Sequence, residues 1–215
     1  MCQCCAAGIM EMDQFAMNAL NISRKPSSAH ENNMLSSMLS SEFVERKMNL
    51  AVRKWRIDDK SDLAIILNNP KVLNNLRDGL PYPYTENDAE DFIRAMLSAD
   101  KDNPFAFAIT LDDKAIGSIG VFRQDNIHCK TAELGYYIGE PYWGNGYMTN
   151  AIKQVCEYVF EKTDIIRIYA EPFAHNIASC RALEKAGFQY EGTLKSNAVK
   201  CGSIVDMKMY ALVRE

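Results

Sequence analysis

An α+β fold, with a mostly antiparallel sheet flanked by helices, is predicted by three features of the sequence. Short runs rich in β-branched and aromatic residues, bounded by turn residues, alternate with amphipathic stretches of helical period. Asp112-Asp113-Lys114 reads as a hairpin turn joining strands Phe105 to Leu111 and Ala115 to Arg123; Thr131 to Ile138 then extends the pair into a meander. Two later helical stretches, Met148 to Lys162 and Asn176 to Ala186, enclose a single β-branched strand, Ile165 to Ala170.

The remaining elements follow from local chemistry. Leu50 to Arg56 reads as a strand, and Asp58 to Leu67 as a helix whose leading aspartate suits the positive end of the macrodipole. Gly79 to Thr85 is a proline-locked aromatic loop, in which Tyr82 and Tyr84 are aromatic residues for packing or for a pocket wall. Thr85 caps the next helix, with Asp88 three residues on and Ala89 to Leu97 as its body. In the helix from Met148, residues Ile152, Val155, Cys156, Val159 and Phe160 recur at helical spacing and define a core face, so Cys156 is a packing residue. Gly187 stops the helix begun at Asn176, and strands Phe188 to Leu194 and Ile204 to Val213 close the chain. Residues 1–47 are rich in Met, Ser and Asn and lack sustained periodicity. They read as an extension ahead of a domain spanning 48–215, with Met48 a conceivable alternative start.

Composition excludes several functions. With 24 basic and 28 acidic residues the net charge is −4, and no basic stripe offers a phosphate backbone its counter-charges, so no nucleic-acid partner is expected. No apolar run is long enough to span a bilayer, and Met1 to Met10 lacks the pattern of a secretory signal, so no membrane partner is expected either. Cys2, Cys4 and Cys5 lack a second ligand pair, while Cys129, Cys156, Cys180 and Cys201 are scattered; no metal site is predicted. Seven cysteines without a secretion signal suggest reduced thiols and a cytoplasmic location.

The chemistry concentrates between Gly139 and Tyr147. Gly144 and Gly146 lie in a turn between a strand and an amphipathic helix, where successive N–H groups converge on an anion and the helix N-terminus adds positive potential. A structural tight turn uses the same residues, and the segment is neither a P-loop nor a dinucleotide fingerprint. The stretch Leu134-Gly135-Tyr136-Tyr137-Ile138-Gly139-Glu140-Pro141-Tyr142-Trp143-Gly144-Asn145-Gly146-Tyr147-Met148-Thr149 resembles motif A of the GCN5-related N-acetyltransferases. Asn176-Ile177-Ala178-Ser179 and Glu184-Lys185-Ala186-Gly187-Phe188 resemble the family's motif B at its usual distance. The loop Leu80 to Thr85 and the ending Asp206 to Val213 are similar to the branch that acetylates ribosomal proteins, the RimJ/RimL type.

The resemblance covers about residues 48–215 and implies a mixed, mostly antiparallel central sheet in α/β/α layers, with acetyl-CoA as acetyl donor. Tyr136, Tyr137 and Ile138 would present backbone groups to the pantetheine arm and polarise the thioester carbonyl. Trp143, Gly144, Asn145, Gly146, Tyr147 and Met148, with Thr149 following, would cradle the pyrophosphate through N–H groups. Asn176 would bond the pantetheine and Ser179 would lie near the sulfur, as proton donor to the leaving thiolate. Three positions depart from the family pattern. Trp143 replaces Arg or Gln, Met148 replaces Gly or Ala and brings a long side chain to the cradle, and Leu183 replaces the tyrosine that serves as acid in many members. The acceptor amine must lose a proton, and strand alternation puts Glu133 on the face of Gly135 and Tyr137, making it the leading base ahead of Glu140 and Asp206. A protein or peptide N-terminal α-amine is the expected acceptor; a small amine (amino acid, polyamine or antibiotic) and a non-catalytic acyl-CoA-binding module are the alternatives. Oligomeric state is not encoded in any pattern here.

Overall fold

The computed structural model describes residues 49–98 and 105–214. The readings of residues 1–47 as an extension and of Met48 as a start lie outside these. The elements run β1 (Leu50–Arg53), α1 (Lys60–Leu67), α2 (Pro70–Leu73), α3 (Glu86–Ser98), β2 (Phe105–Leu111), β3 (Lys114–Arg123), β4 (Thr131–Ile138), α4 (Tyr147–Lys162), β5 (Arg167–Ala170), α5 (Ile177–Lys185), β6 (Gln189–Lys200) and β7 (Ser203–Val213). Seven strands form one sheet in the order β1-β2-β3-β4-β5-β7-β6. Every pairing is antiparallel except β4 with β5, so the sheet is mixed and mostly antiparallel, as expected. No helix among the described residues is long and apolar enough to cross a membrane.

Local chemistry explains most of the elements. The β2–β3 turn holds Asp112 and Asp113 at φ 49° and 70°, the twin left-handed conformation that matches strand twist. Thr85 and Asp88 bond reciprocally at the head of α3, with Thr85 N–H donating to Asp88 Oδ2 at 2.8 Å and Asp88 N–H to Thr85 Oγ at 3.2 Å. Short α2 was not foreseen, although its signal is present: Asn69 caps it through a bond from Lys71 N–H, and Pro70 occupies the first position, where its missing N–H costs nothing.

β1 ends three residues earlier than its apolar pattern suggests, because the chain turns to bury Asp59. This carboxylate, 6% exposed, accepts the Arg56 N–H at 2.8 Å and both terminal nitrogens of Arg53 at 2.8 Å. The bidentate pairing holds the Arg53 guanidinium even more firmly protonated, chiefly through its hydrogen bond to Asp59. Arg53→Leu leaves a buried carboxylate without its counter-charge. We expect a loss of about 3 kcal/mol in urea unfolding; a loss below about 1 kcal/mol would mean that Asp59 finds water instead.

Two apolar clusters lie on opposite faces of the sheet. One gathers Ile119, Val121, Leu134 and Ile138 with Ile152, Val155 and Val159 of α4 and with Cys180 and Leu183 of α5. The other gathers Trp55, Leu63, Leu67, Ala89 and Ile93 with Ala108 and Ala115. Alternation along β4 sends Leu134 and Ile138 into the first cluster and Tyr137 towards the second. Strand β4 therefore carries side chains to both layers, and the site is built around it.

Candidate active site

Between β4 and β5 the sheet splits. Their parallel pairing holds only for Thr131–Arg167, Ala132–Ile168 and Glu133–Tyr169. Beyond Glu133, β4 runs on to Ile138 with no strand on that side among the described residues, while β5 stops at Ala170. A cleft of about 1000 Å³ passes through this gap, from the Gly144–Gly146 turn to a loop carrying Arg77 and Gly79.

At one end lies the glycine turn. Trp143 N–H donates to Glu140 O at 3.1 Å, the Trp143 indole N–H to Ile138 O at 2.9 Å, and Asn145 Nδ2 to Trp143 O at 3.0 Å. Gly144 and Gly146 both take left-handed φ, 80° and 76°, and Gly146 is the N-cap of α4. A Cβ at either glycine would meet nothing within 4 Å among the described residues, so the left-handed backbone is what calls for glycine. The N–H groups of Asn145 to Thr149 meet no acceptor among the described residues; the helix ladder begins with Asn150 N–H on Gly146 O. Of the residues expected in the cradle, Trp143 has both its amide and its indole engaged in bracing the turn. The Met148 side chain packs against the core and also lines the cleft.

At the gap itself Asn176 caps α5, its Oδ1 accepting the Ser179 N–H at 3.1 Å, and lines the cleft. Ser179 Oγ lies 2.7 Å from the Tyr136 hydroxyl. Burial pushes the Tyr136 phenol well above its ordinary range, against a smaller opposing effect of the bond to Ser179. Leu183, fully buried in the core, offers no hydroxyl to the cleft. Arg181 and Lys185 on α5 line the same cleft; they form an i,i+4 basic pair that the sequence reading passed over.

Further along, the same cleft is walled by Leu76, Leu80, Phe92 and Phe122. Gly120 and Gly135 pair across β3 and β4 and leave its floor without side chains. Glu133 lies here, as alternation predicted, but it pairs with Arg77, whose Nη2 is also 3.8 Å from a Glu171 carboxylate oxygen. Asp78 accepts from Lys200 Nζ at 2.6 Å and from Cys201 N–H at 2.9 Å, tying the loop to the β6–β7 tip. The other two carboxylates considered as bases are engaged: Glu140 by Lys71 and Asn69, Asp206 by Lys195 and the Ser196 N–H. These bonds hold both below the usual carboxylate range. Of the tyrosines, Tyr136 and Tyr137 line the cleft, whereas Tyr84 is buried in the second core and Tyr82 is exposed outside it. Cys156 is 2% exposed, and burial pushes its thiol up to about 12, so it is a core residue.

Residues 49–189 match the model of the acetyltransferase (GNAT) domain. The chain belongs to the GNAT acetyltransferase family. It is 28% identical over 176 residues to an uncharacterized N-acetyltransferase, p20, of Bacillus licheniformis, covering 80% of this chain and 95% of that one. The fold is similar to RimL, a ribosomal L7/L12 α-N-protein acetyltransferase in complex with coenzyme A, with TM-score 0.67, 20% identity, and coverage of 77% and 94% of the two chains. It is similar as well to the microcin C7 self-immunity acetyltransferase MccE in complex with acetyl-CoA and AMP, with TM-score 0.66, 22% identity, and coverage of 76% and 92%. This GNAT chain is accordingly an acetyl-CoA-dependent N-acetyltransferase. Its free amides at the head of α4 and the open space beside Gly144 and Gly146 suit the pyrophosphate of that donor.

Proposed function

We infer that this GNAT enzyme acetylates the α-amine of a peptide or protein N-terminus. The observation that carries the reading is the part of the cleft lined by Leu76, Leu80, Phe92 and Phe122, which is largely apolar and whose few acidic groups already face a basic partner. The carboxylates that line the cleft are Asp78, Glu133 and Glu171, and each already faces Arg77 or Lys200. That arrangement suits one ammonium followed by an uncharged chain. A polyamine, with several ammonium groups, would want a ladder of unpaired carboxylates. RimL, whose fold is similar, is an α-N-protein acetyltransferase, which favours the same reading; MccE carries the same fold with AMP bound, so the fold alone does not choose.

Within this reading the bound donor supplies an acetyl thioester whose carbonyl carbon is the electrophile. Amides Asn145 to Thr149 would hold the pyrophosphate, Asn176 Nδ2 and the edge of β4 from Tyr136 to Ile138, which no strand pairs among the described residues and where the Trp143 indole takes Ile138 O, would position the arm, and Ser179 with Tyr136 would place a hydroxyl for the sulfur. The gap holds the two substrates on opposite faces of the sheet, so orientation accounts for much of the acceleration.

Two measurements test this. Saturating acetyl-CoA, at about 100 times its dissociation constant, should add about 2.7 kcal/mol of stability in thermal unfolding. Thiol release should then be compared for hexapeptides beginning Ser-Ala and Ala-Ser, for spermidine and for free glutamate. Faster turnover of spermidine or glutamate than of either peptide would reject the N-terminal reading.

A further inference from the structure

We propose that the residue carrying the acceptor amine is large and apolar, and that its side chain lies in a trough across β2, β3 and β4 floored by Ala106, Gly120 and Gly135. This rests on the N-terminal reading above and names the class of N-terminus that the site takes.

The trough follows from strand register. Ala106 pairs with Gly120, and Gly120 with Gly135, so three neighbouring strands bring very small residues into one row. Residues paired across strands share a face of the sheet. By alternation the next rows on that face are Ala108, Ser118 and Tyr137 on one side, and Phe122 with Glu133 on the other. It is the face of the Trp55 cluster, to which Ala108 and Tyr137 belong, and against which Leu76 and Phe92 also pack. Leu76, Phe92 and the whole floor row line the same cleft. With strands about 4.8 Å apart and about 3.3 Å per residue along each, the bare strip is about 10 Å long, between rows about 7 Å to either side. Its Gly135 end lies just past Glu133, where β4 no longer pairs with β5. On the reading above, amine and thioester meet there, so a side chain entering at Gly135 runs inward across β3.

The backbone does not call for glycine at Gly135. Gly117, earlier on β3, is needed: a Cβ there would fall 2.3 Å from the Tyr137 carbonyl oxygen. Neither Gly120 nor Gly135 has a positive φ, and the β3–β4 register runs through both without a bulge. Among the described residues, a Cβ on Gly135 would meet the edge of the Phe122 ring at 3.7 Å, an ordinary contact with room for a methyl. A glycine inside a regular strand weakens it, and here it keeps space open for something that approaches the backbone.

The walls select what enters. Leu80 and Phe122 are 40% and 38% exposed, apolar surface that lines the cleft. The carboxylate on the bounding row, Glu133, is already paired with Arg77. A charged side chain in the trough would lose water without gaining a partner, whereas an apolar one would cover Leu76, Leu80, Phe92 and Phe122.

The test adds hexapeptides beginning Leu-Ser, Met-Ser, Phe-Ser and Asp-Ser to the Ser-Ala and Ala-Ser pair, with the other residues unchanged. For the best of the Leu, Met and Phe peptides, kcat/KM should exceed that for Ala-Ser by about 10-fold or more, and Asp-Ser should be the slowest. Gly135→Val puts a side chain on the floor and should bring the best apolar peptide to within about threefold of Ala-Ser; Gly135→Ala should lie between. A retained thermal shift with acetyl-CoA shows that fold and donor site persist in each variant. Should Gly135→Val lose that shift, Phe122→Ala, which removes a wall instead of filling the floor, should lower the preference at least about threefold. Ala-Ser or Ser-Ala turned over as fast as every apolar peptide overturns the trough alone. So does a preference that survives unchanged in a Gly135→Val protein that still binds acetyl-CoA, or in Phe122→Ala. Spermidine or glutamate ahead of both Ser-Ala and Ala-Ser overturns the N-terminal reading and the trough with it.

Discussion

Gly146→Val is expected to weaken acetyl-CoA binding by about 10²- to 10⁴-fold while the protein stays folded. Gly146 caps α4 at φ 76°, a conformation that costs a β-branched residue about 1–3 kcal/mol. No atom lies within 4 Å of the position a Cβ would take, so the core is untouched and the strain is relieved by moving the turn. Moving it swings the amides of Asn145 to Thr149, whose N–H groups have no acceptor among the described residues. Hydrogen bonds to a charged group contribute about 1.5–3 kcal/mol each, so misplacing two of them costs about 3–6 kcal/mol. At 1.4 kcal/mol per decade this gives the stated range. Calorimetric titration reads it directly, and the melting temperature without ligand should change only slightly. Gly146→Asn is the informative companion: asparagine tolerates left-handed φ, so it should retain most of the affinity. If Gly146→Val binds within threefold of the parent, the pyrophosphate is held elsewhere.

What the sequence disclosed depended on how local the cause was. The glycine turn and the Thr85–Asp88 box each lie within a few residues, and their spacing names them. β4 was bounded as found because alternation and flanking polar residues agree over its whole length. The closing strands were read too short. β6 runs on to Lys200 through a stretch where its register with β7 shifts between Leu194 and Ala198, so simple alternation fails there. The part of the cleft around Arg77 was illegible for a different reason. Arg77 meets Glu133 across 56 residues, and Asp78 meets Lys200 across 122, with no periodicity linking the partners. Likewise Ser179 was named from its motif, but its partnership with Tyr136 across 43 residues was not.

That partnership supports the second large prediction, a loss of about 10²-fold in kcat for Ser179→Ala with KM for acetyl-CoA little changed. Ser179 presents its Oγ to the cleft at the head of α5, fixed there by the Asn176 cap and by the 2.7 Å contact with Tyr136. A positioned proton donor contributes about 10²- to 10⁴-fold, and the low end applies because a thiolate is already a fair leaving group. Tyr136→Phe keeps the ring that packs on the core and removes only the hydroxyl, so kcat should fall less, with folding preserved. If the two hydroxyls act as one relay, the double variant should be no slower than Ser179→Ala alone, since each deletion breaks the same chain. The pH profile adds a further check. Burial keeps the Tyr136 phenol protonated above its ordinary range, so its loss should not create or remove a limb below about pH 10. A structural hydroxyl pair, merely tying β4 to α5, would give another pattern: lower melting temperatures for both single variants, additive in the double, with kcat near that of the parent. Melting curves and single-turnover rates on the four proteins separate these outcomes.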